Sequence, residues 1–201
     1  MRRDAAKGTF GYIRASRTRA MFRTAAVLLV CVGLFLFGRI TTGTNRNLFS
    51  IVAAVLCLPV GLSAVNMIMF FRAKPCSEAA YRAIESARGG VTVLYDLTLT
   101  GDRGDFAIAA ACALMGRVLC YTEDEKLPVH DAVHHIKMQM SVGKYHDLRI
   151  EVLKDLNAFC QALRETDDAR AKAGINQTRE ESEWQPGTPQ TMTGILRSIS
   201  L

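Results

Sequence analysis

The sequence predicts a two-helix transmembrane hairpin followed by an α/β (α+β) cytoplasmic domain. Three observations carry this. Two long apolar runs lie close together in the first third of the chain, the basic excess is confined to that same third, and beyond residue 75 helical and alternating apolar periods succeed one another.

The charge is unevenly placed. Residues 1–74 hold 11 Lys/Arg against the single acid Asp4, a balance of +10. Residues 75–201 hold 14 Lys/Arg against 18 Asp/Glu, a balance of −4. A domain that grips nucleic acid carries a basic face, so the acidic C-terminal part makes nucleic acid an unfavoured partner. Six cysteines, at 31, 57, 76, 112, 120 and 160, form no CxxC pair and read as reduced, small core residues.

The first run, "AAVLLVCVGLFLFGRI", is apolar from Ala25 to Gly38 and extends to a span of about 23–40 if Arg23 and Arg39 snorkel. No small-x-small cleavage site follows it, and a second span arrives after a short connector, which favours a membrane helix over a signal peptide. The second run, Leu48 to Phe71, has 24 residues and no charge, enough to cross a hydrocarbon layer of about 30 Å. Pro59 and Asn66 within it read as a tolerated proline and an asparagine bonded to the partner helix or near the interface. Seven Lys/Arg precede the first span, two lie in the connector "RITTGTNRN", and Arg72, Lys74, Arg82 and Arg88 follow the second. The positive-inside rule places both termini in the cytoplasm of a cell whose inner membrane holds the hairpin, with the basic segment 1–22 touching anionic headgroups of the lipid bilayer.

The domain is expected over 76–165. Ser77 is a candidate N-cap for a short helix that Gly89-Gly90 stop. "VTVLYDLTLTG" alternates, with Val91, Val93, Tyr95, Leu97 and Leu99 on one face of a strand. Residues 105–122 read two ways. The alanines suit a helix from Asp105 to Met115; equally, Phe106, Ile108, Ala110, Cys112 and Leu114 form one strand face, with a turn at Met115-Gly116 and a hairpin partner over Arg117–Thr122. Pro128 opens a helix whose core face is Val129, Ala132, Val133, Ile136 and Met140. Leu148, Ile150 and Val152 make a strand covered on one side, and Leu156, Phe159, Cys160 and Leu163 mark a last amphipathic helix. Thr166 to Gln190 is polar and reads as a linker. Met192, Ile195, Leu196 and Ile199 then form a short stripe that docks on its own domain, the membrane surface or a protein partner's groove, with Leu196 and Ile199 as the partner-binding anchors.

The segment "VLYDLTL…GDFAIAAACALMGRVLCYTEDEK" resembles the strand pattern of nuclease-related domains in the PD-(D/E)xK superfamily, over roughly Cys76 to Glu165. The resemblance implies a restriction-endonuclease-like α-β-β-β-α-β-α order and favours the hairpin over 105–122. Residue by residue it implies Asp105 as the first acid and Asp124 with Lys126 as the acid-x-lysine, two carboxylates holding Mg²⁺ and a lysine near the attacking water. The whole chain is also similar to a family of two-span bacterial proteins often labelled "O-linked GlcNAc transferase-like", most visibly in "SAVNMIMFFRAKPCSE" and the closing "ISL". No helical repeat of the tetratricopeptide kind and no nucleotide-sugar motif accompanies that label.

The charge run Glu123–Lys126 ends two residues before Pro128, which also suits a solvated strand end. His130 and His134 stand at i, i+4, a zinc-chelating spacing, but on the solvated flank of their helix and without a third ligand, while His135 points elsewhere. The reading that follows is a membrane-anchored cytoplasmic interaction module on a non-catalytic nuclease-like scaffold, with an unidentified protein partner. A Mg²⁺-dependent membrane-tethered nuclease is the alternative.

Overall fold

The structure is a computed structural model that describes residues 6–44, 47–101, 104–177 and 191–201. It divides into two compact units, residues 13–73 and residues 1–12 with 74–201.

The first unit is the hairpin. Helices α1 (Tyr12–Thr42) and α2 (Leu48–Arg72) are both long and apolar enough to cross a membrane. Their large apolar side chains face outward, as in Leu29 at 73% exposed, Ile40 at 81% and Leu62 at 75%. A soluble bundle buries such a stripe, whereas lipid is the solvent these surfaces fit. Small polar contacts join the helices. Thr24 Oγ1 lies 2.8 Å from Ser63 Oγ, a buried hydroxyl pair. Arg17 Nε donates to the Phe70 carbonyl at 2.8 Å and its Nη2 donates to that of Ala73, so one guanidinium covers the open carbonyls at the end of α2. Asn47 caps the start of α2, accepting from Ser50 N at 2.8 Å. Pro59 is accommodated inside α2 and Asn66 is half-buried.

The second unit has an α+β layout. Helix α3 (Glu78–Ala87) leads to strands β1 (Leu94–Gly101), β2 (Gly104–Leu114) and β3 (Arg117–Tyr121). Helix α4 (Val129–Val142), strand β4 (Arg149–Leu153), helix α5 (Leu156–Ala173) and helix α6 (Met192–Ile199) follow. The sheet order is β1-β2-β3-β4, antiparallel except for the parallel β3–β4 pair. Helices α3 and α5 cover one face, where Ile84, Leu119, Phe159 and Leu163 are fully buried. Helices α4 and α6 cover the other, around Ile108, Ile136, Met140 and Leu196.

Local chemistry explains the turns. Residues 105–122 take the hairpin alternative: Met115 (φ 50) and Gly116 (φ 75) both adopt the left-handed conformation that a tight two-residue hairpin turn needs. Ser77 Oγ caps α3 by accepting from Ala80 N at 3.2 Å. At the other end a Cβ on Gly89 (φ 53) would stand 1.9 Å from Asp167 Oδ2, so a side chain at this corner would have to displace that carboxylate.

Three expectations need correction. Tyr95 and Leu97 do not share a face: Val91, Val93 and Tyr95 belong to the α3/α5 core, Leu97 and Leu99 to the α4/α6 core. The cause is Asp96, at φ 56 in mid-strand, which reverses the alternation. Strand β2 switches at the same level without losing register (Tyr95↔Ala110, Leu97↔Ile108). Phe106 and Ile108 therefore face one core, and Ala110, Cys112 and Leu114 the other. The linker expected from Thr166 is helical through Ala173, with Thr166 Oγ1 donating to the Ala162 carbonyl at 2.8 Å and an Arg170–Asp167 pair at 2.8 Å, and Gly174 (φ 67) ends it. Its remainder over 178–190 lies outside the described residues. The C-terminal stripe takes the first of its three expected docking sites, its own domain: Leu196 is 0% exposed there and Ile199 packs at the edge of the same core, which leaves neither free to anchor a partner.

Both chain ends close the free edge of β1. Tyr95 N donates to the Gly8 carbonyl at 2.9 Å, and Leu201 N to that of Thr98 at 2.8 Å beside a Leu99↔Ser200 bridge. Phe10 stacks on Tyr81 at 4.1 Å between centroids. Between these contacts Asp96, 2% exposed, accepts from Gly11 N and from Cys76 N, each at 2.8 Å.

Removing a buried carboxylate that satisfies two backbone N–H groups leaves both unpaired. Asp96→Ala is therefore expected to lower unfolding stability by roughly 3–5 kcal/mol, and Asp96→Asn, which tolerates the left-handed backbone and keeps one acceptor, by less. Met115→Asn should act oppositely, raising stability by ~0.5–1 kcal/mol through a better turn residue. Thermal unfolding of the purified full chain checks both signs.

Candidate functional site

The end of β3 decides the acid-x-lysine site. Extending the register past Ala110↔Tyr121 would bring Lys126 opposite Asp105, but the strand stops at Tyr121. Thr122 Oγ1 donates to the Ala107 carbonyl at 2.7 Å, and Asp124 N donates to Thr122 Oγ1 at 3.1 Å, which turns the chain away. Leu127 N then donates to the Asp124 carbonyl at 3.1 Å and Lys126 N to Asp124 Oδ1 at 3.2 Å. Asp124-Glu125-Lys126 is thus a side-chain-stabilised turn, with Lys126 off the strand. Asp105 stays exposed near the start of β2, in register with Thr100.

Asp124 has another occupation. Its Oδ1 lies 3.0 Å from Lys74 Nζ. The Lys74 hydrogen bond, helped by the Lys126 amide and the charges of both lysines, holds the Asp124 carboxyl below its ordinary value. Next to it, Glu123 Oε1 accepts from Ser77 Oγ at 2.5 Å and Oε2 from Ser77 N at 3.1 Å. With Asp96 on Cys76 N, three carboxylates hold residues 74–77, the segment that follows the second apolar helix. Mg²⁺ asks for several free oxygens around one point, and the fit fails here. Asp124 already faces an ammonium and an amide, and the described residues contain no group of three or more His, Cys, Asp or Glu placed to hold a metal. No Mg²⁺-dependent step follows from this geometry.

The histidines fall differently from expectation. His130 is 96% exposed, its Nδ1 3.8 Å from Asp131 Oδ1. His134 is exposed, and it lines a groove of about 380 Å³ together with Thr100, Gly101, Phe106, Asp131 and His135. His135, expected to point away, is half-buried there, with its ring 5.8 Å from that of Phe106 and its Nε2 shut off from water without a hydrogen-bond partner. Gly101 makes room for it, since a Cβ there would lie 3.0 Å from His135 Nδ1. Asp131, His134, His135 and Met138 form a second stripe on α4 beside the apolar one, a signal present in their i, i+3, i+4, i+7 spacing.

Four cysteines, Cys31, Cys76, Cys112 and Cys120, are buried; Cys160 is half-buried. Burial pushes the Cys112 thiol up to about 12, which keeps it protonated and inert. Cys57, in α2, is exposed, with its sulfur 3.7 Å from that of Cys31.

Comparisons with protein families, with curated proteins and with solved structures found no match.

The Lys74–Asp124 pair has a pH signature. The folded-state pKa of Asp124 is depressed, so its contribution is present above the ordinary carboxyl pKa and lost as pH falls through the folded value. Lys74→Met should cost a small amount of stability at neutral pH, because the lysine is largely exposed, and nothing in acid. Thermal unfolding of wild type and variant across pH measures that convergence.

Proposed function

We propose that this chain is a membrane-anchored interaction module, a cytoplasmic α+β domain carried by a two-span hairpin in the inner membrane. One observation carries the reading. Residues 6–12, before the first span, and 74–201, after the second, build one compact domain through the Gly8–Tyr95, Gly11–Asp96 and Cys76–Asp96 hydrogen bonds. Segments that share a hydrogen-bonded core lie on one side of a bilayer, which supports an even number of spans between them. The Lys/Arg asymmetry supports the cytoplasm as that side.

The commitment of Asp124 to Lys74 supports a binding role over phosphodiester chemistry, and the acidic balance of 75–201 supports a protein partner over nucleic acid. The element order from α3 to α5 supports a nuclease-like scaffold, and among the described residues no three His, Cys, Asp or Glu are placed to hold a metal. The groove beside α4, with Met138 56% exposed at its lip, is the contact surface this reading favours.

Cysteine labelling tests the topology. Thr42→Cys should react with an impermeant maleimide on intact cells, and Val142→Cys, at an 80% exposed site, only after permeabilisation. The reverse pattern sinks the proposal. A photocrosslinker at Met138 is expected to give a discrete protein adduct that one at Arg82, on the opposite layer, does not. Purified full chain with Mg²⁺ should leave plasmid intact; cleavage abolished in Asp124→Ala would establish the nuclease instead.

A further inference from the structure

We propose that Cys31 and Cys57 form a redox-active dithiol inside the apolar hairpin, which closes to an intramolecular disulfide when a lipid-soluble quinone takes up its electrons. The two residues come from different helices, and their sulfurs stand 3.7 Å apart. Both thiols donate to one acceptor, the Ala53 carbonyl, at 3.2 Å from Cys31 Sγ and 3.4 Å from Cys57 Sγ. Ala53 is 4% exposed, and its carbonyl receives Cys31 from the other helix. A disulfide needs its sulfurs at ~2.05 Å, so the thiols must close by less than about 2 Å.

The surroundings set which partner reaches the pair. Cys31 is buried between the helices, whereas Cys57 is exposed on the surface that meets lipid. Glutathione and thioredoxin act from water and do not enter hydrocarbon, so the poise of this couple follows a bilayer-dissolved acceptor rather than the cytosolic thiol pool. The step balances. Two S–H bonds break, one Sγ–Sγ bond forms, and two electrons with two protons convert the quinone to its quinol. The product is a covalent clasp across the hairpin. The remaining cysteines, Cys76, Cys112, Cys120 and Cys160, lie in the α+β domain and serve as internal controls.

The test uses the reduced full-length chain in liposomes with a fully substituted short-chain benzoquinone. After acid quench and denaturation, thiols are counted by mass-tagged maleimide and quinol by absorbance. Wild type should fall from six reactive thiols to four, with one quinol per chain, recovery by dithiothreitol and a proteolytic peptide joining Cys31 to Cys57. Cys31→Ser and Cys57→Ser should each keep all five and form no quinol. Retention of six thiols in wild type, equal loss in the single variants, or loss that dithiothreitol does not reverse would overturn the proposal. The linked peptide is read from wild type, so it stands independently of how either variant folds.

Discussion

The carboxylate of Asp96 accepts hydrogen bonds from two backbone amides sixty-five positions apart in the chain, Gly11 and Cys76, while its own backbone reverses the facing of β1. Aspartate suits both tasks at once. The left-handed backbone excludes most side chains but tolerates Asp, and only a carboxylate offers two acceptor oxygens from so short a stem. The reversal puts Tyr95 among the aromatics Phe10 and Tyr81 on one side of the sheet, and Leu97 and Leu99 under α4 and α6 on the other. Without it the strand would present one continuous apolar face and leave one layer of helices poorly filled.

The acidic residues at the end of β3 belong to the same arrangement. Glu123 and Asp124 hold Ser77 and Lys74, so the charge run that suggests metal chemistry serves instead to fix a segment of backbone. Ser77 shows the economy of the local design. Its hydroxyl donates to Glu123 and accepts from Ala80 N, which joins the start of α3 to the end of β3 through a single oxygen. Charge-assisted bonds of this kind are directional, and they hold a chain that has just left an apolar helix more tightly than packing alone.

Much of this fold was legible in the chain. The apolar runs declare two helices by length, Ser77 and Gly89-Gly90 bracket α3, and Met115-Gly116 marks the hairpin turn once the strand alternative is taken. The rest depended on non-local facts. Strict alternation hides a switch of faces, because the left-handed residue responsible looks like an ordinary polar interruption until its two amide partners are brought near. The end of β3 at Tyr121 rests on Thr122 finding the Ala107 carbonyl, a contact between strands. The polar stretch after Thr166 reads as a linker by composition, yet it continues α5 because one face carries exposed charge while Thr166 stays buried. In the candidate site, the residue types were visible but their grouping was not. Asp124 is paired with Lys74 rather than Asp105, and His135 rather than His130 is the histidine turned inward.

The closure of β1 by both chain ends constrains the order in which the molecule can assemble. The segment around Gly8 is made first but has no strand to pair with until both apolar helices and β1 have been synthesised. Residues 98 and 99 wait longer, for the partners at 200 and 201. Chains emerge N-terminus first, at about 5–20 residues per second, so β1 waits several seconds for its last edge partners. During that interval one edge of β1 lacks its last partners, the kind of edge that neighbouring nascent chains can pair with.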